Sequence, residues 1–458
     1  MKITVRRASV FYALLLAFIA GVVFLVTSIY TNGEEWATKR ANRHLYSKSN
    51  AVLSAGPVVD IRGTVLAETL NSKRIYNDDA ELRKAILHVL GDTHGFISTG
   101  TQNLYSHTLS GYSFVDGIYS LKTSGMGPEL VLNLDGDACK AAYKALGKFN
   151  GAVAVYNYKT GQLLCSVSKP TYDLVNKPAD VNTNPKYDGA YLDKVVSGLY
   201  TPGSIMKIVT AACAIENIPD IYERTFDCNG EYVVRENQRG IICNANHKTG
   251  LTFEDAMNKS CNAVFAQIAL ELGADKLRAT AESMGFNTTL YAREVRLKPS
   301  RFNPPSDDRL ELGWAGIGQS TTLVNPCHFL TIMGAIANGG QGYAPDRIFL
   351  MKGLLAGQRG TQVMINLNPE TAKQLDVLLR SNIENEYGDD RFPDLQMCGK
   401  TGTAQITGAE SHSWFVGYSQ REDLPLAVVC VAENAGSGMK TAVNVSNEIM
   451  QYFLDNPY

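Results

Sequence analysis

Hydrophobic residues form one long uninterrupted run near the start of the chain. No charged residue occurs from Ala8 to Asn32, and Phe11–Ile29 is almost wholly apolar. About 20 apolar residues suffice for a helix to cross a membrane. Basic residues precede the run and acidic residues follow it, so the positive-inside rule predicts cytoplasmic residues 1–7 and an external remainder. The alternative, a cleaved signal peptide, has a shorter apolar core and a small-residue cleavage site, which we do not find after Ile29.

Beyond this run the pattern is irregular at first and becomes regular near residue 129. Residues 33–128 begin with a polar, helix-compatible stretch and continue as short candidate strands between loops rich in Gly, Ser and Thr. We expect a juxtamembrane stalk and a small non-catalytic domain there. The chain therefore divides into residues 1–32 as cytoplasmic tip and transmembrane anchor, residues 33–128 as stalk and small domain, and residues 129–458 as the main domain.

The main domain alternates between strand and helix patterns in a definite order. Strand patterns cover Ala152–Tyr156 and Leu163–Val167, and a mainly helical stretch then runs over residues 204–272. Strand patterns return after residue 400, and the chain closes with an amphipathic helix, Thr441–Leu454. Strands at both ends with helices between them predict an antiparallel sheet that carries an all-helical subdomain. This is an α+β fold of the α/β/α sandwich type.

The helical stretch opens on an S-x-x-K pair, Ser204 and Lys207, which follows Pro202-Gly203 and leads into an apolar run. Side chains three residues apart lie on the same face of a helix. A serine needs an adjacent base to become a nucleophile, and a lysine acts as that base when burial or positive charge lowers its pKa. The pair alone is a weak signal, because a buried helix whose lysine reaches the surface has the same pattern.

Two later motifs strengthen this interpretation. Ser260 and Asn262 form an S-x-N motif, and a K-T-G motif begins at Lys400, shortly before an apolar stretch that is typical of a strand. The motifs S-x-x-K, S-x-N and K-T-G, in this order, closely match the signature of the serine acyl-enzymes that react with penicillin. The sequence therefore predicts nucleophilic catalysis through a serine ester.

Composition excludes some classes of partner and cofactor but does not by itself indicate a function. The chain has 458 residues, of which 45% are hydrophobic and 19% charged, and its net charge of -2 gives no reason to expect nucleic acid as a partner. We find no zinc-spaced Cys/His cluster and no nucleotide-type glycine loop, so we expect no metal and no organic cofactor.

The nine cysteines are an odd number, which leaves at least one unpaired. Cys228 and Cys243 flank a polar, hairpin-like insertion and are the candidate disulfide pair. Cys261 lies between Ser260 and Asn262. A nucleophilic cysteine is conceivable at that position, but we expect a small residue that fills the middle of the S-x-N motif.

The chain resembles the class B penicillin-binding proteins, which are membrane-anchored peptidoglycan D,D-transpeptidases, over nearly its whole length. Arg62–Ala67 looks like the R-G-x-x-L-A motif of their N-terminal domain, and Gly161–Asp173 is similar to a hairpin of their catalytic domain. Gly318–Ser320 and His412–Gly417 fit family stretches between and after the later motifs. No glycosyltransferase domain is recognisable before residue 129, which argues against a bifunctional class A enzyme. The segment 68–128 is short and rich in loops, which implies a short form of class B.

The resemblance implies a role for each motif residue. Ser204 attacks the carbonyl of the penultimate D-alanine of a stem peptide, and Lys207 accepts its proton. Ser260 and Lys400 pass the proton to the departing amine, and backbone N–H groups stabilise the oxyanion. The implied substrate-binding residues, for the substrate amide and then for the terminal carboxylate, are Asn262, Thr401, Gly402 and Thr403.

The resemblance also implies the partners: peptidoglycan stem peptides, β-lactam antibiotics that block the site covalently, and the membrane through the N-terminal helix. A lipid II glycosyltransferase of the shape or division family is a candidate protein partner. The acceptor amine, the stem-peptide chemistry and the choice between septation, elongation and sporulation stay open at this point.

Two alternatives stay open as well. The same site could use water, as a D,D-carboxypeptidase or a β-lactamase does, although no E-x-x-L-N motif of the class A β-lactamase kind lies between Asn262 and Lys400 and Glu311 is the nearest candidate. The chain could also be a non-catalytic scaffold of the division or elongation machinery, which the intact motif set argues against.

Overall fold

A computed structural model of the chain describes residues 2–38, 55–71, 73–109, 127–235, 240–351 and 360–457. Its first helix, α1 (Lys2–Thr38), contains the 27-residue segment Arg7–Gly33, whose most apolar 18-residue window has no residue buried inside protein. A helix of this length and composition can cross a membrane, in agreement with the apolar run. The rest of the predicted stalk, residues 39–54, and residues 110–126 of the small domain lie outside the described residues.

The elements between α1 and residue 200 form two groups. The first consists of β1 (Val58–Val59), β2 (Val65–Leu70), β3 (Lys73–Tyr76), α2 (Ala80–Ala85), α3 (Leu87–Leu90), α4 (Thr101–Leu104) and α5 (Ser106–Leu109). The second consists of β4 (Leu130–Leu132), α6 (Gly136–Ala145), β5 (Gly151–Asn157), β6 (Leu163–Lys169) and α7 (Lys194–Ser197).

The part after residue 200 is mainly helical before strands return. Its helices are α8 (Lys207–Asn217), α9 (Phe253–Asn258), α10 (Asn262–Ser283), α11 (Arg309–Gly316), α12 (Pro326–Ala337), α13 (Pro369–Asn382) and α14 (Ala442–Asp455). Its short strands are β7 (Phe226–Cys228), β8 (Glu231–Tyr232), β9 (Ile241–Ile242), β10 (Lys248–Leu251), β11 (Tyr291–Ala292), β12 (Val295–Arg296), β13 (Gln341–Tyr343), β14 (Ile348–Met351) and β15 (Val363–Asn366). The long strands are β16 (Met397–Ile406), β17 (Ala409–Ser419) and β18 (Leu426–Ala432).

The main sheet has the order β16-β17-β18-β5-β6, and every neighbouring pair is antiparallel. Every residue of β18 is buried, because helices cover both faces of the sheet. Val428 and Cys430 join the core under α6 and α14, whereas Val429 and Val431 join the core under α12. This two-residue alternation confirms the predicted α+β sandwich, with strands drawn from both ends of the segment and helices between them.

A second sheet, with the order β14-β4-β1-β2-β3, connects the N-terminal part to the main domain. Strands from both sides of the predicted boundary at residue 129 share this sheet, and the boundary itself stays a prediction. Arg62 of the R-G-x-x-L-A motif bonds to Asp135 at 3.0 Å and donates to the carbonyls of Asn456 and Pro457 at 2.7 and 3.0 Å. The motif therefore ties the small domain to the end of the described chain.

Candidate active site

Ser204 lies in a 3₁₀ turn, Gly203–Met206, that leads directly into α8. Gly203 has a φ of +57°, and a Cβ there would lie 2.6 Å from the carbonyl oxygen of Thr403. Gly318 has a φ of +80°, and its Cβ would lie 2.0 Å from the oxygen of Gly203. Only glycine fits such positions, so these two residues let the turn pack against β16 and place Ser204 beside the K-T-G strand.

Lys207 brings the first two motifs together. Its Nζ lies 3.2 Å from Ser204 Oγ and 3.1 Å from Ser260 Oγ, and it donates to Ser260 O at 2.5 Å and to Asn262 Oδ1 at 2.8 Å. The side chain is fully buried. The sequence-based alternative, a lysine that reaches the surface, is therefore wrong. The amine instead bridges the candidate nucleophile and the S-x-N motif.

The electrostatics of this site favour a neutral amine. Burial lowers the pKa of Lys207 well below its usual value, and the positive charge of Lys400 lowers it further, while the thiols of Cys243 and Cys261 act in the opposite direction. None of the four oxygens that bond to Nζ within the described part of the chain belongs to a carboxylate. An amine in these surroundings can take a proton from Ser204.

The S-x-N motif lies at the start of α10. Ser260 adopts a φ of +50°, a strained conformation for a residue other than glycine, and its hydroxyl faces Lys207. Asn262 donates its side-chain amide to Ile242 O at 2.9 Å and its backbone N–H to Cys243 Sγ at 3.2 Å. The loop around Cys243 therefore holds Asn262 in place from the side opposite Lys207.

The K-T-G motif lies on β16, at the edge of the main sheet. Lys400 is fully buried, Thr401 is half-buried and Thr403 is exposed. A Cβ on Gly402 would lie 2.6 Å from the oxygen of Pro202, so glycine again allows the close approach of the serine turn. Within the described hydrogen bonds the Lys400 amine contacts Tyr387 and not Ser260, so Lys400 acts on Lys207 through its charge.

Tyr387 is a site residue that the sequence motifs do not predict. It ends a π-helical turn after α13, and its hydroxyl lies 3.2 Å from Lys400 Nζ, 3.0 Å from Thr401 N and 2.8 Å from Thr401 Oγ1. Burial raises the pKa of this phenol, but the charge of Lys400 and the hydrogen bonds to Thr401 outweigh burial and lower it overall. No motif spacing connects residue 387 to the K-T-G motif, so only the fold reveals the contact.

A cavity of about 430 Å³ opens beside these residues. It is lined by Ser204, Gly240, Ile242, Cys243, Asn244, Asn262, Trp314, Ile317, Gln319, Thr403 and Gln405. The lining combines members of all three motifs with a few apolar side chains. A small acyl donor with polar ends fits such surroundings.

Cys243, which lines the cavity, belongs to a cluster that the sequence analysis missed. The ligand atoms of Cys228, Cys243, His247 and Cys261 lie within 4.8 Å of one another. All nine cysteines are free thiols, so the expected Cys228–Cys243 disulfide is wrong. The sequence shows no zinc-spaced Cys/His cluster, yet the fold brings these four side chains together, among them Cys261 of the S-x-N motif. The four positions lack the paired short spacings by which zinc sites are recognised in sequences.

Comparison with known proteins decides the family. Residues 151–451 match the penicillin binding protein transpeptidase domain. The chain belongs to this family. The match covers the main sheet, the helical insert and all three motifs, and the resemblance to class B penicillin-binding proteins is confirmed.

Similar proteins include peptidoglycan D,D-transpeptidases and a penicillin-binding protein. The chain is 27% identical over 312 residues to the peptidoglycan D,D-transpeptidase PbpA of Mycobacterium tuberculosis, covering 63% of this chain and 62% of that protein. It is 25% identical to penicillin-binding protein 3 of Bacillus subtilis, covering 78% of this chain and 57% of that protein. The chain thus spans about three fifths of the length of these relatives.

Solved structures share the fold. The acyl-enzyme complex of penicillin-binding protein A from M. tuberculosis with ceftriaxone has a TM-score of 0.77 at 22% identity and covers 88% of this chain and 98% of that chain. The D,D-transpeptidase domain of a peptidoglycan glycosyltransferase from Eggerthella lenta has a TM-score of 0.73 at 26% identity and covers 88% of this chain and 99% of that chain. The similarity extends well before residue 151, because it includes most of the described chain.

Proposed function

We propose that this family member cross-links peptidoglycan stem peptides by D,D-transpeptidation through an ester on Ser204, and that β-lactams acylate the same serine. The observation that carries the proposal is the position of the Lys207 amine, buried within hydrogen-bond distance of Ser204 Oγ and Ser260 Oγ. The names of the relatives in the same family support the reaction class.

The first half of the reaction forms the ester. Ser204 Oγ bonds to the carbonyl carbon of the penultimate D-alanine while its proton passes to Lys207 Nζ. The oxyanion accepts hydrogen bonds from the backbone N–H groups of Ser204 and Thr403, each worth about 3–4 kcal/mol. The proton then moves through Ser260, with Lys400 nearby, to the amine of the terminal D-alanine. The peptide bond breaks and D-alanine leaves.

The second half transfers the acyl group. The amine of a neighbouring stem peptide bonds to the ester carbon, its proton returns through Lys207 to Ser204 Oγ, and the new amide leaves the site. Before D-alanine leaves, in the first half, Asn262 holds the donor amide, and Thr401, Gly402 and Thr403 bind the carboxylate of the terminal D-alanine. The lining of the cavity agrees with a neutral amine as acceptor, because no carboxylate occurs among the described lining residues to activate water.

The membrane arrangement completes the proposal. The apolar helix anchors the protein with residues 1–7 in the cytoplasm and the transpeptidase domain outside, where peptidoglycan is built. A lipid II glycosyltransferase of the shape or division family supplies the glycan strands. Protease added to intact spheroplasts is expected to digest the chain after residue 32, and a protected transpeptidase domain would contradict this topology.

Labelling with fluorescent penicillin tests the central claim. Wild-type protein is expected to carry a stable label at Ser204, and Ser204→Ala is expected to carry none while it unfolds at the same temperature. The rival scaffold function predicts no label on either protein. Label on Ser260 or Cys261, located by mass spectrometry, would refute the assignment of the nucleophile.

A further inference from the structure

Four potential metal ligands meet beside the S-x-N motif. Cys228 ends β7, Cys243 follows β9, His247 precedes β10, and Cys261 is the residue before α10. The three cysteine side chains are buried and the histidine is half-buried. The Sγ atoms of Cys243 and Cys261 are 3.8 Å apart, far beyond the disulfide bond length of about 2.0 Å. The cluster is therefore a set of separate thiols around an imidazole.

The spacing of these atoms matches a tetrahedron around zinc. With Zn–S of about 2.3 Å and Zn–N of about 2.0 Å, two sulfur ligands lie about 3.8 Å apart, and a sulfur and a nitrogen lie about 3.5 Å apart. The structure has 3.8 Å between the sulfurs of Cys243 and Cys261. His247 Nδ1 lies 3.6 Å from Cys228 Sγ and 3.5 Å from Cys243 Sγ. Thiolates and imidazole together select zinc over harder cations.

We propose that Cys228, Cys243, His247 and Cys261 bind one structural zinc ion. With four protein ligands the site is closed, so the metal holds the chain and takes no part in acyl transfer. It joins the β7–β10 pair, the loop after β9 and the residue that precedes α10. An effect of the metal on acylation of Ser204 rests on the proposed function.

The zinc site shares atoms with the catalytic machinery. Cys261 lies between Ser260 and Asn262, and Cys243 Sγ accepts the backbone N–H of Asn262. The carbonyl before Cys243 accepts the Asn262 side chain. Zinc thus fixes the position of Asn262, which in turn bonds to Lys207. Loss of the metal is expected to slow acylation of Ser204 by about tenfold or more.

Metal content of the full-length protein in detergent tests the site directly. Wild type is expected to retain about one zinc per chain after dialysis, and His247→Cys is expected to retain it too, because thiolate is also a zinc ligand. His247→Asn removes one ligand and is expected to lower zinc affinity at least about tenfold. The matched control is His94→Asn, an exposed histidine in the small domain, which is expected to retain the metal.

Two further measurements keep the proposal falsifiable if His247→Asn does not fold. Cobalt loaded into the wild type is expected to give the intense visible bands of a tetrahedral thiolate site, and zinc is expected to abolish them. Chelation is expected to slow labelling by penicillin, and added zinc to restore it. The zinc site would be overturned if wild type and His247→Asn retain equal zinc. It would also be overturned if the wild type fails to retain zinc or to show the cobalt bands. Both conclusions hold irrespective of any acylation result.

An independent observation concerns Tyr387. A phenol has one proton to donate and two lone pairs to accept with. Thr401 N–H and the Lys400 amine both donate to this hydroxyl, at 3.0 and 3.2 Å. With both lone pairs occupied, the phenol directs its proton to Thr401 Oγ1 at 2.8 Å, and the Asn382 side chain is the other neighbour of this hydroxyl. The proton of the Thr401 hydroxyl is consequently free to point elsewhere.

We propose that Tyr387 is a positioning residue that orients the Thr401 hydroxyl as a donor to the terminal carboxylate of the substrate. This role rests on the proposed function and deepens it. Tyr387→Phe removes the phenol and lets the Thr401 hydroxyl rotate, so recognition of the carboxylate suffers more than the acylation chemistry itself.

Benzylpenicillin and its methyl ester separate these two effects. Tyr387→Phe is expected to slow acylation by the acid about tenfold, because one hydrogen bond to the carboxylate is weakened. Acylation by the methyl ester, which has no carboxylate there, is expected to slow much less. Thr401→Val is expected to slow acylation by the acid in the same way, whereas Thr401→Ser is expected to preserve the preference for the acid. Combining Tyr387→Phe with Thr401→Val is expected to slow acylation little more than either substitution alone. The matched control is Tyr158→Phe, a buried tyrosine that donates to Ser419 O away from the site.

The positioning role would be overturned if Tyr387→Phe slows acylation by the acid and by the ester equally. It would also be overturned if Thr401→Val keeps the wild-type preference for the acid over the ester, a test that does not need a stable Tyr387→Phe variant. A wild type that neither compound acylates would contradict the proposed function itself, which the zinc measurements do not depend on.

Discussion

Lys207→Arg is the sharpest test of the proton acceptor. The substitution keeps a positive charge and hydrogen-bond donors, but a guanidinium stays protonated at every accessible pH. Lys207 in contrast has a pKa well below its usual value, first because it is buried and second because Lys400 is close. The variant therefore removes the base without removing the charge.

The magnitude follows from the role. A positioned general base contributes about 10²- to 10⁴-fold, which corresponds to about 3–5 kcal/mol of activation free energy. Arginine is also larger than lysine, and the side chain is fully buried among four oxygen contacts. Overpacking there is expected to lower the free energy of unfolding by about 1–3 kcal/mol.

The assay is the second-order rate constant of labelling by fluorescent penicillin as a function of pH. The wild type is expected to lose acylation as pH falls through the lowered pKa of Lys207, because the amine then carries a proton. Lys207→Arg is expected to stay inactive at high pH, and so is Lys207→Met, which has neither base nor charge. The matched control, Lys186→Arg, alters an exposed lysine and is expected to match the wild type. Acylation of Lys207→Arg within about tenfold of the native rate would refute the assignment.

Three other predictions follow from the same geometry. Lys400→Met removes the charge that lowers the pKa of Lys207, so the acidic limb of the acylation profile is expected to move to higher pH; an unmoved limb contradicts the coupling. Gly318→Ala is expected to lower stability by about 2–3 kcal/mol in thermal unfolding, since its Cβ would lie 2.0 Å from Gly203 O, whereas Gly360→Ala, with open space around it, is the neutral control. In a pulse of labelled penicillin followed by excess unlabelled drug, the acylated protein is expected to decay slowly compared with its formation. Rapid loss of label with steady hydrolysis would favour the β-lactamase alternative and direct attention to Glu311.

The motifs and the strand patterns predict most of the catalytic part. Ser204, Ser260 and Asn262 each come within hydrogen-bond distance of the Lys207 amine, as the three-residue spacing on a helix and the order of the motifs indicate. Such predictions succeed because they depend on local periodicity and on residue types that a reaction requires.

The contacts that sequence patterns do not predict are those that unrelated segments make in space. Tyr387 reaches Lys400 from a π-helical turn, an element with no sequence signature. The Cys/His cluster draws on three separate segments, with a spacing outside the familiar zinc patterns. Gly203 directly precedes the S-x-x-K pair in the sequence, but the close approach to Thr403 that its left-handed conformation allows is visible only in the folded chain.

The order of strands in the main sheet has a consequence for biosynthesis. β5 and β6 are made early, but they complete the sheet only with β18, β17 and β16 near the end of the chain. The turn that carries Ser204 packs against Thr403 of β16, so a nascent or truncated chain without β16 carries its serine without the K-T-G strand beside it. Under the proposed function, reactivity toward peptidoglycan therefore begins only after β16, β17 and β18 have been made and paired.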